Sequence, residues 1–192
     1  MKLIRYFFDN AETSVDNRIG EEGQGWEIAK FLLTNERGGS CFGPKALSQV
    51  KELQAIAQSV PSGVNGAMSG NTNLINRLAE LQLSAEALEF TELRILASIS
   101  QGRSPGPESS LTKLIASNLR QEIQTVESEL YAYGGLQLPY DRPLYGNQAP
   151  EPVGTHAAQN ALARYLNGRA TTIYGGSNEV QKNIIAKRVL GL

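Results

Sequence analysis

The sequence predicts an all-α fold: an antiparallel four-helix bundle closed by a short C-terminal helix and preceded by a single strand. Three observations carry that prediction. Apolar residues recur at spacings of three and four over long segments, which is the period of one helix face. Breaks rich in proline, glycine and asparagine separate those segments. Strand formers gather in residues 1–10, a stretch too short to be a sheet alone.

The chain's 192 residues suffice for one domain with a sizeable core. Its 41% hydrophobic and 19% charged content is ordinary for a globular protein. A net charge of −1 gives no bulk attraction to nucleic acid or to an anionic membrane. The single cysteine, Cys41, excludes an intrachain disulfide, and the single histidine, His156, leaves no Cys/His metal cluster. No signal-peptide pattern or bilayer-length apolar run is present, so a cytoplasmic, reducing compartment is expected.

Met1 to Asn10 ends in Asp-Asn, a turn signal, and exposes Tyr6, Phe7 and Phe8 unless something pairs with it. Residues 17–24 form a loop rich in glycine and acid. From Gly25 a helical stripe runs through Trp26, Ala29, Leu33, Glu36, Ser40, Gly43, Leu47 and Val50, with Gly38-Gly39 and Pro44 expected to weaken or bend it just past Glu36. Residues 59–73 read as a loop. Residues 74–100 are the clearest helix, carrying Leu74, Leu78, Leu81, Ala85, Leu88, Ile95 and Ile99 on one side. Pro107-Glu108 opens the next helix, whose stripe runs from Leu111 through Ile115, Leu119, Ile123 and Val126 to Leu130 and stops at Gly134-Gly135. A connector with four prolines (residues 137–153) leads to a last long helix at about 154–172. Gly175-Gly176 then allows positive φ, and Ser177 is the N-cap candidate for a short amphipathic helix with Val180, Ile184, Ile185 and Val189. Free N–H groups at that helix start attract anions or polar ligand edges. By pattern alone this is an ordinary helix–turn–helix corner.

The residue order there is specific. Thr172-Ile173-Tyr174-Gly175-Gly176-Ser177-Asn178-Glu179-Val180-Gln181, ending in Ile184-Ile185-Ala186-Lys187-Arg188-Val189-Leu190-Gly191-Leu192, resembles the C-terminal signature of acyl-CoA dehydrogenases. Phe7-Phe8-Asp9-Asn10 and Asn17-Arg18-Ile19-Gly20-Glu21-Glu22 are similar to the end of that family's middle β-domain. Lys30 to Arg37 is similar to its first C-terminal helix. Ser104 to Leu114 is similar to a bacterial branch that includes large subunits of pimeloyl-CoA-type dehydrogenases. Two positions depart: no Arg-x-x-Phe-Gly motif stands near Pro61, and Tyr131 occupies the place of the glutamine in Gln-x-x-Gly-Gly.

The resemblance implies that residues 1–20 are a remnant of the middle β-domain with its linker and that 21–192 are the helical bundle domain, a C-terminal fragment of a larger enzyme. It implies α,β-dehydrogenation of an acyl-CoA thioester, with a glutamate removing the α-proton and FAD taking the β-hydride. The commoner position for the base lies in the terminal motif, where this chain has Gly175. The alternative lies beside the arginine of the first helix, where it has Glu36, which is therefore the catalytic candidate. A carboxylate on an apolar stripe loses hydration and becomes a better base, although by pattern alone Glu36 reads as a solvated helix glutamate paired with a neighbouring cation. By the same resemblance Gly176, Ser177 and Glu179 contact FAD, while their local roles are turn, N-cap and first-turn acid. Arg37 is expected to structure the site, and Cys41 and His156 to pack or cap. Expected partners are an acyl-CoA substrate and further copies of the chain or a second dehydrogenase subunit. FAD is expected in the full-length parent and not in the fragment. The competing reading is a non-catalytic oligomerisation module whose stripes bury against sister subunits.

Overall fold

The computed structural model describes residues 7–36, 41–59, 61–62, 66–67, 71–138 and 155–192, with the backbone alone at 34–36, 61–62, 66–67 and 156. Six α-helices follow one another among these residues: α1 (Gly25–Glu36), α2 (Phe42–Ser59), α3 (Thr72–Ser100), α4 (Glu108–Leu130), α5 (His156–Gly168) and α6 (Asn178–Ile185). Between α2 and α3, Pro61–Ser62 pairs antiparallel with Gly66–Ala67. The first six residues of the expected N-terminal strand lie outside the described residues. Phe7 to Asn10 is irregular, with Asn10 left-handed at φ 51°.

Helices α2 to α5 form the bundle, and side-chain pairs fix their directions. Gly43 lies against Glu89 while Gln54 bonds Gln82, so α2 and α3 run antiparallel. Arg77 pairs with both Glu122 and Glu129, placing the start of α3 beside the end of α4. Arg164 pairs with Glu127 while Gln121 donates to the carbonyl of Gly168, so α5 descends α4 in the opposite sense. Ala46, Val50, Leu53 and Ala57 of α2 recur at the helical period and meet Leu78, Leu81, Ala85 and Leu88 of α3 in the buried core. Leu119, Ile123, Val126 and Leu130 of α4 complete it.

Helix α4 touches α2, α3, α5 and α6, and so is buried on more than its apolar stripe. Its remaining buried positions are polar: Ser109, Ser110, Thr112, Ser117, Gln124 and Glu127. Thr112 donates back to the carbonyl of Ser109 at 2.9 Å, satisfying a hydroxyl that burial removes from water.

The helix expected over residues 25–50, weakened or bent just past Glu36, is divided there between two elements. Helix α1 ends at Glu36 and α2 starts afresh at Phe42. The new start has a cause distant in sequence. Glu92 of α3, only 6% exposed, accepts from the N–H of Phe42 at 2.8 Å and from that of Gly43 at 2.9 Å. A carboxylate there satisfies two first-turn donors and complements the positive end of the helix. Pro44 does not bend a helix interior. It is the third residue of α2, where an N–H has no intrahelical partner to lose. Gly43 is required at the crossing: a Cβ would stand 2.5 Å from the Glu89 Cα.

The stripe of α1 is not covered by the bundle. Trp26 is 71% and Phe31 72% exposed, and none of the described side chains of α1 is buried. The water exclusion invoked for Glu36 along this stripe is therefore not supplied by the described residues.

Candidate functional site

After α5 the chain tightens into a 3₁₀ turn at Arg169–Thr172, then passes through Gly175 at φ 67° and Gly176 at φ 85°. These left-handed angles suit residues without a Cβ. Ser177 is the N-cap of α6, its hydroxyl accepting from the Val180 N–H at 3.4 Å. The turn is held from the following helix. Gln181, 1% exposed, donates its carboxamide N–H groups to the carbonyls of Gly175 and Gly176, each at 3.3 Å. A Cβ on Gly176 would meet Gln181 Nε2 at 2.5 Å, whereas one on Gly175 would meet nothing within 4 Å.

The inward face of α6 differs from the one read from its apolar period. Asn178 and Gln181 are buried; Val180 and Val189 are exposed, and Ile184 and Ile185 are half-buried. The reason is the partner. The polar part of α4 lies beneath, and Asn178 Oδ1 accepts from Ser117 Oγ at 2.9 Å and from Lys113 Nζ at 3.2 Å. Its amide nitrogen donates to Asn118 Oδ1 at 3.0 Å. Three α4 side chains thus anchor the start of α6.

Beside this junction lies a cavity of about 380 Å³. Phe42, Lys45 and Ala46 of α2 form one wall, with Cys41 at the mouth. Lys113, Ala116, Ser117 and Arg120 of α4 form the opposite one, Leu88 of α3 supplies apolar surface, and Tyr174 with Gly175 closes the end. Cys41, the residue before α2, is exposed and lines this cavity. The side chain of His156 lies outside the described residues, and the N-cap of α5 is Thr155.

Burial lowers the pKa of Lys113 below the usual lysine value, and attraction to Glu179 opposes that shift in part. Glu179 is held below the usual carboxylate range, first by its own backbone N–H, then by the Ser177 hydroxyl. Anionic Glu179 therefore sits fully exposed in the first turn of α6, where the helix end favours negative charge.

Gly176, Ser177 and Glu179 fall within one turn of the chain. Glu36 is the last residue of α1; its side chain, and Arg37 entirely, lie outside the described residues. Cys41, which lines the cavity, follows Glu36 by five positions in the chain, a span of at most about 18 Å. Sequence reasoning missed Lys45, Arg120, Asn178 and Gln181. The signal for the last two is a polar residue at i and i+3 on a short helix whose apolar period points to its other side as the inward one. Among the described residues no group of His, Cys, Asp or Glu could hold a metal ion, and no helix is long and apolar enough to cross a membrane.

Residues 23–190 match the family "Acyl-CoA dehydrogenase, C-terminal domain". The chain is 30% identical to acyl-CoA dehydrogenase IpdE1 of Mycobacterium tuberculosis (strain ATCC 25618 / H37Rv), an alignment covering 97% of this chain and 43% of that protein. It shares its fold with the ChsE4-ChsE5 complex from Mycobacterium tuberculosis, at TM-score 0.73 and 24% identity over 94% of this chain and 44% of the other. The butyryl-CoA dehydrogenase of Megasphaera elsdenii superposes at TM-score 0.68 and 20% identity, covering 95% of this chain and 43% of that one. The chain thus spans less than half the length of these relatives. With the family matched over nearly the whole helical region, and the two-glycine turn seated against α4, the chain belongs to the acyl-CoA dehydrogenase family, whose C-terminal domain it carries.

Proposed function

We propose that the chain is the C-terminal domain of a flavin-dependent dehydrogenase that converts an acyl-CoA thioester to its α,β-unsaturated form, with Glu36 as the base. The observation that carries this reading is the pairing of family membership with Gly175. The motif's commoner base position is a glycine that lines the cavity, where a Cβ would meet nothing within 4 Å. Glu36, a few residues before the cavity mouth, is the remaining candidate to take the α-proton onto its carboxylate. Its apolar stripe is exposed in this chain, so the dehydration that would raise its basicity depends on whatever covers α1.

The residues at the start of α6 fit a flavin edge. The left-handed turn frees space above Gly175, and the Ser177 hydroxyl and the first N–H groups of α6 provide polar contacts there. When bound, FAD would supply the acceptor for the β-hydride. Gly176 would allow close approach, Ser177 would orient the ring edge, and Glu179 would fix Ser177 through the hydrogen bond between them.

The test is made in the full-length enzyme. Glu36→Gln is expected to lower turnover by about 10²-fold or more, the scale of a positioned general base. Gly175→Glu in that background is expected to restore part of it, limited by a cost of about 1 kcal/mol or more for a side chain at positive φ. Undiminished turnover in Glu36→Gln would reject the assignment.

The exposed Trp26 and Phe31, with Phe7 and Phe8, favour a second role in association with sister subunits. Sedimentation of the chain is expected to show dimers or larger species; a monomer at high concentration would refute that role.

A further inference from the structure

Gln181 is buried in a way that the docking of α6 does not require. It is 1% exposed, yet its Oε1 accepts from nothing among the described residues. A stranded acceptor in a buried side chain works against stability, so an unbranched apolar residue of the same length would hold the helix down better. What glutamine supplies and an apolar residue lacks is the pair of N–H groups on Nε2. They reach back six and five positions, to the carbonyls of Gly175 and Gly176.

Those two bonds fix more than two oxygens. The peptide bonds of the turn are trans, and in a planar trans peptide the C=O and N–H point in opposite directions. With the Gly175 carbonyl drawn toward Gln181, the N–H of Gly176 faces away from it. With the Gly176 carbonyl drawn in as well, the N–H of Ser177 does the same. Neither N–H has an acceptor among the described residues. A pair of glycines turns its peptides over easily, so this arrangement needs a clamp. The clamp also occupies the space in which a Gly176 side chain would begin, since a Cβ there would stand 2.5 Å from Gln181 Nε2.

We infer that Gln181 is the positioning residue of the two-glycine turn: its carboxamide holds the Gly176 and Ser177 N–H groups outward, ready to donate to acceptor atoms at the flavin edge. Buried as it is, it acts through the backbone of the turn and not by contact with a ligand. The identity of the acceptor rests on the flavin-dependent reading proposed above; the setting of the turn does not. Donors held in place bind without first ordering a glycine segment, which is where the clamp strengthens binding.

Two readouts separate the turn from the flavin. In the 192-residue chain, residual dipolar couplings report the directions of the Gly176 and Ser177 N–H bonds relative to the bundle. Gln181→Met keeps the length of the side chain without its donors, and Gln181→Glu keeps its shape but turns oxygens toward the two carbonyls. In both variants the couplings at Gly176 and Ser177 are expected to lose their fixed values while those of α3 stay unchanged. In the full-length enzyme, FAD titrated into the apoprotein is expected to bind Gln181→Met about tenfold more weakly than wild type, the scale of one or two misdirected hydrogen bonds. Unchanged couplings at Gly176 and Ser177 in either variant would overturn the inference, because the turn would then set itself. A change that spreads into α3 would also overturn it, because Gln181 would then be packing the fold. Altered couplings with FAD bound as tightly as in wild type would overturn the assignment of these donors to the flavin. A wild-type enzyme that takes up no FAD would reject the dehydrogenase reading, and the couplings would still decide what Gln181 does to the turn.

Discussion

Glu92 joins the bundle to the site, and its removal is a quantitative test of how α2 is started. The side chain is buried and its two oxygens accept from the N–H groups of Phe42 and Gly43 at 2.8 and 2.9 Å. In Glu92→Ala the Phe42 N–H can turn to water, since that residue is partly exposed, but the Gly43 N–H is buried and left without an acceptor. One stranded donor costs about 1–3 kcal/mol. The lost anion at the helix start adds about 0.5–1 kcal/mol. A total of about 3 kcal/mol corresponds to a fall of roughly 6–12 °C in Tm for a domain of this length. Circular dichroism melts would measure it, alongside urea titrations for the change at constant temperature. Glu92→Gln keeps one acceptor and presents an NH₂ to one donor, so it is expected to lie between. Glu89→Ala, one helical turn away and without such bonds, is expected to change stability by less than about 0.5 kcal/mol. A Glu92→Ala protein as stable as wild type would refute the view that this carboxylate caps α2.

Asn178→Ala removes the contacts to Lys113, Ser117 and Asn118 and is expected to loosen α6 by about 1–3 kcal/mol while α2 and α3 stay protected. Amide hydrogen exchange confined to residues 178–185 would show it; unchanged exchange there would refute the anchoring role. Lys113 has a folded-state pKa below its unfolded value of 10.5, so between those two values the unfolded chain binds more protons. The stability of wild type relative to Lys113→Met is therefore expected to rise as pH climbs toward 10.5, and a flat or falling difference in alkaline urea titrations would contradict the burial argument.

The elements whose physics is local were legible in the chain itself. The stripe from Leu74 to Leu88 set α3, Pro107-Glu108 marked the start of α4, and Ser177 marked the cap of α6, because helical period, fixed φ and side-chain capping act within a few residues. The order Tyr174-Gly175-Gly176-Ser177 likewise carried the family and the candidate contacts at the α6 start. Tertiary structure decided the rest. Glu92 lies about fifty residues from the N–H groups it caps, so the break between α1 and α2 took a form that the stripe through Pro44 could not show. The inward face of α6 was chosen by the hydroxyl and amide groups of α4 beneath it, which made Asn178 and Gln181 interior and left Val180 outside. Lys45 and Arg120 are unremarkable cations on two separate helices. They line one cavity because α2 and α4 pack side by side, and packing brings residues together with no regard for their separation along the chain.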